Sequence, residues 1–161
     1  MPRTMAAIAV GLLLSGVWAK CTDKKPLTFQ NVAMGEIEDK AATNAGFQTR
    51  WWSGAHFGFT AYRASNGNSL AVYYDDFNKP EEAKRFLDWK ADKAFKVLSK
   101  STKRDVDDKP IEYRVELVPD SDRSDVEVVW VVGVAVHWIH ARTLDYALVL
   151  EKLYRNWVPR Y

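Results

Sequence analysis

Hydrophobic and polar residues alternate most regularly in the last third of the chain, between Ile111 and Trp157. From Ile111 to Leu117 every second residue is apolar and the residues between are charged, which is the pattern of a strand with one buried face. Val126 to Val132 is apolar on both faces, which favours a central position in a sheet. Gly133 then allows a tight connection to the next strand-like segment, which extends from Val134 to His140. This block therefore predicts three consecutive strands.

The pattern predicts one helix before this block and one after it. Asn78-Lys79-Pro80-Glu81 resembles a capping box with a proline in the first turn, and an apolar stripe continues from Ala83 to Leu98. Lysines follow up to Arg104, where cations favour the carboxyl end of a helix dipole. The second helix begins after Thr143, and apolar residues recur at spacings of three and four up to Trp157.

The first half of the chain contains a predicted hairpin, His56 to Arg63 with Leu70 to Asp75, because Asn66-Gly67 between two strand-like segments favours a tight turn. Leu27 to Glu38 and Phe47 to Trp52 are weaker strand candidates, since their alternation is imperfect. Asp39 to Gly46 is predicted to be a loop or a single helical turn.

These elements predict an α+β domain. We expect an antiparallel sheet of about five to seven strands with two helices on one face, in the order ββαβββα, and this order allows one or two further strands before the first. A length of 161 residues with 47% hydrophobic residues suits a single core. The predicted organisation is a signal peptide at 1–19, a polar tether at 20–26 and one domain at 27–161.

The amino terminus predicts export. Arg3 is followed by an apolar segment too short to span a bilayer, and Val17-Trp18-Ala19 fits the small-x-small rule for cleavage after Ala19. We therefore expect a secreted or periplasmic protein. Cys21 raises the alternative of a lipoprotein, although Lys20 replaces the small residue that lipidation favours before the cysteine. Membrane contact is expected only if Cys21 is lipidated or the leader is retained.

Charge and composition exclude several classes of partner. The net charge is +2 and becomes one unit lower when Arg3 is removed with the leader, so nothing attracts nucleic acid globally. The single cysteine forms no disulfide within the chain. No phosphate-binding glycine-rich loop opens a helix, and we expect no cofactor.

Residues capable of chemistry are few and poorly arranged. His137 and His140 lie three apart on a strand and therefore point to opposite faces, which argues against a shared metal. Asp75 and Asp76 are a conceivable hydrolase pair, but neighbours on a strand diverge. The acidic segment Asp120 to Asp125 lacks the glycine and distal glutamate of a calcium loop. We predict no catalytic residue and no metal site.

Two surfaces are candidate binding sites. Trp51 and Trp52 are adjacent, so we expect one ring to face outward, where it can stack on a sugar or fill a partner's pocket. The second candidate is an apolar patch on the sheet face opposite both helices. Its predicted residues are Val129, Val131, His137 and Ile139. We expect residues 27–52 to cover that face, and an uncovered face would favour a partner.

The leading functional hypothesis is a small exported, non-enzymatic domain that binds a protein or a component of the cell envelope. The alternatives are an exported hydrolase that uses the acids near Asp75 and Asp76, and a structural accessory domain of an envelope complex. A concave pocket with converging titratable groups would favour an enzyme, whereas a flat apolar patch would favour a binding domain.

Overall fold

The computed structural model describes residues 26–157, which form seven strands and three helices. The predicted cleavage site, Cys21 and residues 158–161 lie outside the described residues. The elements are, in chain order, β1 (Phe29–Glu38), α1 (Lys40–Asn44), β2 (His56–Ala64), β3 (Ser69–Asp76), α2 (Pro80–Lys93), β4 (Ala94–Arg104), β5 (Pro110–Pro119), β6 (Val126–Val132), β7 (Ala135–Ala141) and α3 (Leu144–Trp157).

All seven strands belong to one sheet in the order β1-β2-β3-β7-β6-β5-β4, and every neighbouring pair is antiparallel. The predicted α+β class and antiparallel sheet are confirmed. The hairpin at Asn66-Gly67 is confirmed, since Gly67 adopts a φ of +89° and its amide donates to the carbonyl of Ala64. The tight connection at Gly133 is confirmed in the same way, with a φ of +58°.

The two long helices lie on opposite faces of the sheet, so their predicted placement on one face is wrong. Phe86 and Leu87 of α2 pack in one core cluster with Val129 and Trp138, whereas α3 packs in the other cluster with Trp130. The physical reason is the composition of β6. A strand that is apolar on both faces needs cover on both faces, and one helix layer supplies only half of it.

Helix α2 is shorter than predicted, because it ends at Lys93 and the chain continues directly into strand β4. The apolar stripe up to Leu98 fits a strand as well as a helix. β4 pairs with β5 along its whole length, and the turn between them is closed by Asp105, whose carboxylate accepts from the amides of Asp107 and Lys109. Residues 105–109 are therefore the turn of a hairpin. The cap prediction at Asn78 is also wrong, since Lys79 is the N-cap residue.

The segment before β2 differs from its prediction. β1 and the single helical turn α1 are present, but residues 47–52 form a loop with one isolated bridge, Thr49 to Phe77. Phe47 nevertheless lies in the core beneath α2. β1 extends the sheet at its edge instead of covering a face, so the expected coverage of a sheet face by residues 27–52 is wrong for most of that segment.

Candidate functional site

A cavity of about 960 Å³ opens on the α2 face of the sheet, and we name it the α2-side cavity. It is bounded by the end of β1 with α1, by the carboxyl end of α2 and by the connection between β5 and β6. Its walls combine apolar or aromatic side chains with charged ones. The apolar set includes Ile37, Tyr73, Trp89, Leu117 and Trp138, and the charged set includes Lys40, Lys90, Lys93, Glu127 and His140.

The aromatic wall follows from strand register. Tyr73 on β3 is directly opposite Trp138 on β7, and their rings stack with centroids 4.8 Å apart and planes 14° apart. Trp89 of α2 packs against Phe47 and Phe86 with centroid distances of 5.4 Å and 5.7 Å. Trp138 is buried, whereas Tyr73 and Trp89 are partly exposed. The rings of Tyr73 and Trp89 are therefore the part of this aromatic wall that is accessible from the cavity.

Four ionisable side chains form a chain of contacts at the cavity, and we name it the Glu127 cluster. Lys90 of α2 pairs with Glu127 of β6 at 2.9 Å, and both side chains are about nine-tenths buried. His140 of β7 lies 3.4 Å from Glu127 through Nδ1 and 2.7 Å from Asp125 through Nε2. The Lys90 ammonium also lies 4.4 Å from the centre of the Trp138 ring, which is a cation–π contact.

Contacts within the Glu127 cluster favour the charged forms of Glu127 and His140. Burial by itself raises the pKa of Glu127, but the charge of Lys90 and the hydrogen bonds from His140 and Lys90 lower it to about 2. The pKa of His140 is raised by its hydrogen bond to Glu127, against the effect of burial. Burial and the charge of Glu127 raise the pKa of Tyr73. Glu127 is thus a carboxylate throughout the neutral range, suited to binding and poorly suited to exchanging a proton.

The predicted sheet patch does not exist as a surface. Val129 and Val131 are buried beneath α2, whereas Ile139 is buried on the face covered by α3. His137 also faces α3, where its ring stacks on Trp130 and its Nδ1 lies 3.4 Å from the hydroxyl of Tyr154. The register of β6 and β7 explains the correction. Val129 pairs with Trp138 and shares its face, while Trp130 pairs with His137 on the opposite face.

Trp51 and Trp52 lie in the loop before β2, and both rings are exposed, at 76% and 43%. The expectation that strand geometry would bury one of the two is wrong, because this segment is not a strand. Trp52 stacks on His56 with centroids 4.7 Å apart, and the guanidinium of Arg50 lies 5.0 Å from the centre of the Trp51 ring. Neither tryptophan lines the α2-side cavity.

The remaining candidate groups are the acidic pair Asp75 and Asp76 and the histidines His137 and His140. Asp75 and Asp76 are consecutive on β3, and the carboxylate of Asp75 accepts from the amide of Asp76. Burial raises the pKa of Asp75. His137 and His140 contact opposite faces of the sheet, as their spacing predicts. Within residues 26–157 no group of three or more potential metal ligands is close enough to hold an ion.

Sequence reasoning missed the Glu127 cluster, although one signal for it was present. Glu127 is the single charged residue in the otherwise apolar segment Val126–Val132, and a carboxylate in a strand covered on both faces requires a buried partner. The sequence does not indicate which residue is that partner, because Lys90 lies 37 positions earlier and reaches Glu127 only through the packing of α2 on the sheet.

The α2-side cavity thus brings together an aromatic wall and a fixed set of opposite charges. Among the helices of residues 26–157, none combines the length and apolar character needed to cross a bilayer. Comparison with models of protein families, with curated proteins and with solved structures finds no match.

Proposed function

We propose that this chain is a small exported, non-enzymatic binding domain and that its ligand occupies the α2-side cavity. The observation that supports this proposal is the Glu127 cluster at the wall of an aromatic cavity. Its charges compensate one another, and Glu127, with a pKa of about 2, is ionised at every physiological pH. Such an arrangement orients a polar group of a ligand without transferring a proton to it.

The size and lining of the cavity favour a small amphiphilic ligand. Cavities that bind small molecules usually measure roughly 300–1,000 Å³ and are mostly apolar with a few polar groups, and the α2-side cavity, at about 960 Å³, is at the upper end of that range. The apolar part of the ligand would contact Trp89 and Tyr73, which are partly exposed, and its polar part would face Lys93 and the Glu127 cluster. In an exported protein, an envelope component with such a ring or short chain fits this description.

A titration with 1-anilinonaphthalene-8-sulfonate, an aromatic sulfonate with this amphiphilic character, tests the site. We expect saturable binding by the folded protein, detected by the rise in probe fluorescence and by a change in the total tryptophan fluorescence of the protein. Trp89→Leu removes half of the accessible aromatic wall, so the affinity should fall about 10-fold, which corresponds to about 1.4 kcal/mol. Trp51→Leu removes an equally large ring outside the cavity and should leave the affinity unchanged.

Thermal unfolding of both variants controls for loss of the fold. The cavity proposal fails if the wild-type protein does not bind the probe, or if the two tryptophan variants bind it equally well while remaining folded.

The Trp51–Trp52 loop is a second candidate, for a larger partner, because both rings are exposed side by side. Adjacent exposed tryptophans suit stacking on the sugars of an envelope polymer or anchoring in a partner protein. The test is retention of the folded protein on insoluble peptidoglycan, which Trp51→Leu should weaken and Trp89→Leu should not. Equal retention of both variants would remove the reason to assign binding to this loop.

A further inference from the structure

The two edges of the sheet are formed by long strands that no other described element covers. β1 and β4 contain ten and eleven residues, and every residue after Phe29 in β1 and after Ala94 in β4 is exposed. Such an edge presents a row of unpaired backbone amides and carbonyls, which is a template for a further strand. Within residues 26–157, both edges of the sheet are therefore open to pairing.

Both edge strands expose apolar side chains as well as backbone. Three large hydrophobic residues of each strand are at least one-third exposed. In β1 these are Val32, Met34 and Ile37, and in β4 they are Phe95, Val97 and Leu98. Adding a strand to either edge would bury part of this surface, and burial of apolar surface favours association.

The two edges have opposite charges. β1 contains Glu36 and Glu38 and no lysine or arginine. β4 contains four cations and no acid, namely Lys96, Lys100, Lys103 and Arg104. Like charges oppose pairing of β1 with β1, or of β4 with β4, in a symmetric dimer. Opposite charges favour pairing of β1 with β4, so the preferred partner of each edge is the other edge of a second copy.

Strand direction adds a geometric argument. β1 and β4 are separated by six antiparallel steps in the sheet, so they run in the same direction. A copy that continues the sheet with its faces aligned would place its β1 parallel to the β4 of its neighbour. This arrangement brings Glu36 and Glu38, in the second half of β1, towards Lys100 and Lys103, in the second half of β4.

We propose that copies of this chain associate head to tail, with β1 of one copy adding as a parallel strand to β4 of the next. The contact is heterologous, because each copy uses two different surfaces, and it therefore produces open chains or rings of copies instead of a two-fold symmetric dimer. The interface does not involve the Glu127 cluster, and this association does not depend on the ligand proposed for the cavity.

Charge reversal on each edge tests this proposal. In the Glu36→Lys/Glu38→Lys variant both edges are basic, and in the Lys96→Glu/Lys100→Glu/Lys103→Glu variant both are acidic. Sedimentation velocity should show concentration-dependent association of the wild-type protein. Each variant alone should lose this association by about 10-fold or more in the association constant, whereas an equimolar mixture of the two should associate, because every β1–β4 contact is again between opposite charges.

A matched control separates the effect of charge on the edges from the effect of net charge on the whole protein. Arg50→Glu/Lys79→Glu/Lys152→Glu reverses three exposed cations away from both edges and produces the same net charge as the acidic-edge variant. Because it keeps the wild-type β1 and β4, it should associate by itself as strongly as the wild-type protein, whereas the acidic-edge variant of the same net charge should not. The proposal is overturned if the wild-type protein is monomeric up to millimolar concentration, or if this control loses its association to the same extent as the acidic-edge variant. Circular dichroism confirms that every variant is folded.

Discussion

The pKa values of two histidines on β7 are shifted in opposite directions, because the two side chains lie on different faces of the sheet. On the α3 face, burial and the positive charge of Arg155 lower the pKa of His137 to about 4. On the α2 face, the hydrogen bond to Glu127 raises the pKa of His140. His140 therefore stabilises the fold below its unfolded pKa of 6.5, and this contribution is lost as the pH rises through its higher folded pKa. His137 has the opposite effect.

We expect His137 to make the protein less stable in acid. Between pH 6.5 and about 4 the unfolded chain protonates this residue and the folded chain does not, so the unfolding free energy falls as the pH falls. His137→Gln keeps a polar partner for Tyr154 and removes the titration. Urea unfolding at several pH values should show the wild-type protein losing on the order of 2 kcal/mol more than the variant across this window. Parallel pH curves for the two proteins would contradict the burial of a neutral His137.

At the scale of elements, α3 is attached to the sheet by ion pairs as well as by its apolar face. Glu151 of α3 is buried and accepts hydrogen bonds from Arg114 of β5 at 2.9 Å and 2.8 Å. Arg155 donates to Glu151 and also to Glu112 of β5. The alternating charged residues of β5, which predict a face in contact with water, instead form a network beneath a helix. The burial follows from the position of α3 on the face opposite α2.

Removing one partner from this network should be costly. Glu151→Gln leaves two arginines short of one negative charge, and we expect the unfolding free energy to fall by about 3 kcal/mol, since an incompletely compensated buried charge is unfavourable. Glu82→Gln changes the exposed pair with Arg85 and should cost less than about 1 kcal/mol. Urea unfolding at neutral pH measures both changes. Equal small losses would mean that the network is as hydrated as a surface pair.

At the scale of the whole molecule, we propose that the segment before the described domain directs its export and is then cleaved from it. Expression of residues 1–161 in a bacterial host should release a protein into the periplasm whose intact mass corresponds to a chain that begins at Lys20. A chain that begins at Cys21 with added lipid mass would instead establish the lipoprotein alternative. A cytosolic product with an intact leader would contradict export.

The sequence by itself determined the class of the fold, most of its strands and the position of its tight turns. These features depend on local periodicity and backbone conformation, as in the alternation of β5, the apolar strand β6 and the positive φ of Gly67. Strand β4 escaped prediction because the residues from Ala94 to Leu98 fit both periods, and pairing with β5 selected the strand.

Only the tertiary structure decided which faces the helices cover, and this placement created the candidate site. The order β3-β7-β6 brings Tyr73 against Trp138, and packing of α2 on β6 brings Lys90 to Glu127. Neither contact involves neighbours in the chain, so no local pattern specifies it. The sequence likewise does not predict which strands form the two exposed edges, because a strand becomes an edge only through the order in which the other strands pair.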